Sequence, residues 1–117
     1  MENASNFRLV IVTTNSYDNA QQIARILLSE RLAACCNLLL GAYSMYTWND
    51  RIEESLEVMI FIKTTVDNIE MLERRVCELH PYDVPEVIAV PIESGSELYL
   101  RWIASTVSPF DKQEDTQ

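Results

Sequence analysis

The amino-acid sequence predicts an α+β fold of order β-α-β-β-α-β, closed by a C-terminal helix. Three observations carry that prediction. Two segments place apolar residues at helical spacing, each between β-branched or aromatic runs. Asn49-Asp50 stands between two long extended runs, where a hairpin turn belongs. The chain has 117 residues, 48% of them hydrophobic. That suits one domain, spanning 1–117, whose core needs no disulfide, metal or cofactor to fold.

Residues 1–6 are polar and read as frayed. Phe7 to Thr14 is β-branched and apolar, a buried strand. Ser16 to Asp18 cap a helix running to Arg31, with Ala20, Ile23, Ala24 and Leu27 on one face. Leu32 to Trp48 reads as a long strand bent at Gly41. Its return partner is 51–64, wet at Glu53, Glu54 and Glu57, then apolar on both faces from Val58 to Ile62. Asp67 is expected to cap a second helix, with Glu70 three positions on as in a capping box. Ile69, Leu72, Val76 and Leu79 form its stripe, and Pro81 ends it. Glu86 to Ile92 is the last main strand. Residues 97–107 suit a short helix with Leu98, Trp102, Ile103 and Val107 as its apolar contacts. Residues 108–117 read as a flexible end.

Composition narrows the function. There are 18 acidic and 9 basic residues, a net charge of -9. This argues against a nucleic-acid backbone or an anionic membrane as partner, because both need clustered Lys and Arg. Two glycines, Gly41 and Gly95, are too few for a dinucleotide fingerprint or a phosphate-cradling loop. A single histidine, His80, excludes zinc fingers and His-rich catalytic metal sites within one chain. No run reaches the roughly 18 apolar residues of a membrane span. The first residues lack the basic and apolar regions of a signal peptide. Cys35, Cys36 and Cys77 are odd in number and imply no framework of bridges. A cytoplasmic protein with reduced thiols is expected.

The element order is that of the ferredoxin-like split sandwich, in which both helices cover one face of an antiparallel sheet. Such a sheet, wet on its second face, should alternate apolar and polar residues. Leu9 to Val12, Val58 to Ile62 and Val87 to Val90 do not alternate. One helical layer cannot cover two apolar faces, and burial is worth roughly 25 cal/mol per Å². Other copies of the chain are therefore expected to cover the remainder, packed sheet against sheet. The long hairpin also overhangs its shorter neighbours and offers a free edge.

Several motifs carry a family likeness. They are Glu30-Arg31-Leu32-Ala33-Ala34-Cys35-Cys36-Asn37, Tyr46-Thr47-Trp48-Asn49-Asp50-Arg51-Ile52, Ile62-Lys63-Thr64-Thr65, His80-Pro81-Tyr82-Asp83-Val84-Pro85-Glu86 and Tyr99-Leu100-Arg101-Trp102-Ile103. In register from about residue 9 to 107, the chain resembles the CutA divalent-cation tolerance proteins. The resemblance implies a ferredoxin-like fold, a tight homotrimer, kinship in architecture with the PII signalling proteins, and association with copper and other divalent cations. The chain departs from the pattern at three places. Val12 stands where metal-binding members can carry a cysteine, Leu79 where some carry a second histidine, and Asp50-Arg51 where Gly-Lys is usual.

His80 has two readings: a packed histidine bonding a carbonyl, or a metal ligand, since neutral imidazole suits copper. In the second, other copies of His80, Glu86, Asp83 or a cysteine would complete the site. Cys77 lies one helical turn before His80, about 60° round the wheel, and forms a weaker pair with it. Trp48, Lys63, His80, Tyr82 and Glu86 read as an intersubunit pocket in which Lys63 would hold an anion. Glu53 and Glu57 are about 13 Å apart on a strand, too far for paired acid–base work, and read as a solvated face. No G-x-S-x-G exists, and no enzyme is expected. The leading expectation is a trimer that binds divalent cations, copper first, in metal tolerance or homeostasis. The alternatives are a PII-like sensor of a small anionic metabolite and a structural trimer that displays its acidic surface to a partner.

Overall fold

The structure, a computed structural model, describes residues 2–109. Its elements run β1 (Glu2–Asn3), β2 (Phe7–Thr14), α1 (Tyr17–Ser29), β3 (Cys35–Trp48), β4 (Arg51–Thr65), α2 (Ile69–Leu79), β5 (Val87–Pro91), β6 (Ser94–Gly95) and α3 (Glu97–Thr106). Four strands form an antiparallel sheet in the order β3-β4-β2-β5, and β1 pairs with β6 in a small second sheet.

Register sorts the side chains into two faces, because alternate residues of a strand point opposite ways. Val10 lies between Ile62 and Ala89, and Val12 between Ile60 and Val87. These rows meet Ala20, Ile23 and Leu27 of α1 and Leu72 and Val76 of α2 in the main core. The other face carries Leu9, Ile11, Met59, Phe61, Ile88 and Val90. At one end α3 closes over it, packing Leu100, Ile103 and Val107 with Ala4, Ala34, Phe7 and Ile92. The middle rows stay open: Leu39 is 46% exposed and Ile88 50%. The apolar second face expected from the strand sequences is therefore present, and α3 covers only one end of it.

The β3–β4 hairpin runs beyond the rest of the sheet. β2 pairs only with Val58 to Thr65, so the hairpin extends about 20 Å further at roughly 3.3 Å per residue. Trp48 pairs with Arg51, and the two turn residues, Asn49 and Asp50, have φ of 53° and 63°. Two positive φ values in a two-residue loop match the right-handed twist of the strands. The expected bend at Gly41 is a bulge: register shifts between Leu39 and Ala42, and Gly41 has φ +84°. A Cβ at Gly41 would meet nothing within 4 Å. Gly41→Ala should therefore cost only the left-handed backbone strain, about 1–2 kcal/mol, read as a lower urea midpoint at unchanged slope.

Several boundaries differ from the sequence reading. α1 ends at Ser29 rather than Arg31, because Arg31 takes φ 61° and the Leu32 and Ala33 amides fold back on Leu27 O. The following strand starts at Cys35, and Leu32 to Ala34 are a buried link. Asp67 does not cap α2. A 3-10 turn over Val66–Asn68 precedes it, and Asn68 spends its amide on Thr65 Oγ1 and Ser108 O. In α3, Ile103 and Val107 are buried as expected, but Leu98 and Trp102 face outward and Leu100 is buried in their place. The N-terminal residues are engaged rather than loose: Ala4 is fully buried and its amide donates to Glu93 O. Ser108 is held by Arg31 O, and the remaining expected flexible residues, 110–117, lie outside the described residues.

Candidate functional site

Proline at 81 forbids another helical turn, so His80 leaves α2 in extended conformation, φ -84° and ψ 141°. That directs its ring toward the end of β2, where it is buried. His80 Nε2 lies 2.7 Å from Thr13 O, and the Tyr82 amide donates to Nδ1 at 3.1 Å. An amide N–H can only donate, so Nδ1 accepts and Nε2 carries the proton. This arrangement requires a neutral ring with both nitrogens engaged. Asn19 steadies the helix end, donating to Leu79 O at 3.4 Å while accepting from the Thr14 hydroxyl.

The loop after His80 brings two carboxylates to the same place. The Tyr82 ring meets His80 edge-on at 4.7 Å, and its hydroxyl donates to Glu57 Oε2 at 2.9 Å. Thr13 Oγ1 donates to Glu86 Oε1 at 3.4 Å, a long and weak bond. The site thus joins Thr13, Glu57, His80, Tyr82 and Glu86. Desolvation, then the bond to Glu57, pushes the Tyr82 phenol from 10.0 up to about 12. The folded state therefore holds that proton more tightly than the unfolded chain. Tyr82's contribution to stability is complete below pH 10 and is lost as pH rises toward 12. Ultraviolet titration should place its phenolate midpoint near the upper value, and Glu57→Gln should lower it.

Of the residues singled out from sequence, His80, Tyr82 and Glu86 come together. Trp48 and Lys63 do not join them within one chain. Lys63 is about 20 Å from Glu57 along β4, and Trp48 is at the hairpin tip, about as far the other way. Only separate copies can unite the five. Cys77 is exposed on α2, and His80 has turned out of the helix toward Thr13. Glu57, read as solvated, is instead buried beneath Tyr82. Its strand parity with Met59 and Phe61 was the signal that places it on the sheet's second face.

Among the described residues no three His, Cys, Asp or Glu side chains are grouped to hold a metal ion. The donor set agrees in part: the imidazole lone pair is spent on the Tyr82 amide, and one oxygen of Glu57 accepts the Tyr82 hydroxyl. The described residues of one chain therefore do not make a complete metal centre. No helix of the described residues is long and apolar enough to cross a membrane.

Comparison with known proteins assigns the family. Residues 8–106 match CutA1, described as the CutA1 divalent ion tolerance protein. The chain belongs to the CutA1 family. The divalent-cation tolerance protein CutA of Thermus thermophilus is 42% identical over 95 residues, covering 81% of this chain and 92% of that protein. Human CutA is 44% identical over 92 residues, 79% of this chain but 51% of its own length. The chain thus spans about half of the human protein. Among CutA crystal structures, that from Xylella fastidiosa superposes with a TM-score of 0.87 at 39% identity, covering 89% of this chain and 100% of that one. The Thermus thermophilus structure gives 0.86 at 39% identity, covering 87% and 99%. The same antiparallel sheet and helices therefore recur across the family, whose membership supports a role in divalent cation tolerance.

Proposed function

We propose that this CutA chain acts in divalent cation tolerance as a non-enzymatic, cytoplasmic homotrimer of ferredoxin-like subunits packed sheet against sheet. The observation that carries the reading is the uncovered second face of the sheet, with Leu39, Ile88 and Val90 left exposed. The overhanging hairpin adds to it: Ile52 and Leu56 are 72% and 68% exposed there. Apolar area of this extent favours association, and closed symmetry lets one patch serve every copy. The strand order β3-β4-β2-β5 supports the ferredoxin-like assignment. The free cysteines Cys35, Cys36 and Cys77 support a reducing compartment. Glu57 and Glu86 are bonded to Tyr82 and Thr13, which speaks against an acid–base pair.

The cation we favour is copper, on imidazole chemistry, with the site completed between copies. His80 holds the tautomer of a ligating histidine, its Nε2–H fixed by a backbone carbonyl. It meets an ion at Nδ1 only by giving up the Tyr82 amide. The test is light scattering together with copper titration of chelator-stripped protein. We expect three times the 13.5 kDa chain mass, and saturable micromolar uptake that His80→Ala removes. A folded, non-associating single chain overturns the assembly. Absent uptake, or uptake unchanged in His80→Ala, overturns the copper role of His80.

A further inference from the structure

We draw no further inference here: the strongest candidate, the small apolar groove that Val10, Leu72, Val87 and Ala89 line between α2 and the edge strand β5, opens at the rim of the sheet, and nothing in the structure shows what covers it.

Discussion

Leu39→Glu together with Ile88→Glu is expected to bring the solution mass down to one 13.5 kDa chain, still folded. Both positions lie on the open face, Leu39 on β3 and Ile88 on β5. They are 46% and 50% exposed, and neither belongs to either buried cluster. The isolated chain therefore loses little when they become charged. An interface loses much more, because each copy would bury two carboxylates without partners, and such charges cost several kcal/mol apiece. Net charge, already -9, becomes more repulsive between copies. The measurement is light scattering with far-UV circular dichroism on one sample. A mass unchanged from that of the wild type would place any contact surface elsewhere, and loss of the helical signal would show that the face belongs to the monomer's own core.

The same face shows how far the sequence could be read. Element order and the two-sided apolar strands were visible, because β-branched runs and helical stripes are local patterns. The hairpin tip was visible too, since Asn49 and Asp50 tolerate the positive φ they adopt. The errors have a common physical source. Arg31, Asp67 and Leu98 were assigned from local propensity, and tertiary packing decided each of them otherwise. Arg31 is held left-handed by the link to Leu32, and its guanidinium donates to Thr106 O. Leu98 loses its place in the core to Leu100, which packs against Gly95.

The candidate site was half legible. His80, Tyr82 and Glu86 lie close in sequence, and the proline-rich loop after α2 fixes them together. Glu57 and Thr13 come from other strands, and only register brings them there. A run of three glutamates within five residues reads as solvated, yet the strand period turns Glu57 toward Tyr82. Lys63 and Trp48 were grouped with His80 as residues at element ends expected to meet between copies, and within one chain the length of β4 keeps them apart.

Ile60→Ala is expected to be among the most destabilising single truncations, lowering stability by about 2–5 kcal/mol. Ile60 is fully buried on the central strand β4, between Val12 of β2 and Leu38 of β3. Its face packs against α1 and α2, so every layer of the main core touches the cavity that would be left. Strands on either side are hydrogen-bonded to β4 and cannot close in, which puts the cost toward the upper part of the range. Leu56→Ala is the matched control, on the same strand but 68% exposed in the overhang. It should change monomer stability little and act on association instead. Urea unfolding over a series of protein concentrations separates the two, because association adds a concentration-dependent part to apparent stability. Ile60→Ala should lower the midpoint at every dilution, whereas the effect of Leu56→Ala should fade as the protein is diluted to single chains. A concentration-independent loss in Leu56→Ala would mean that the hairpin folds back on its own subunit.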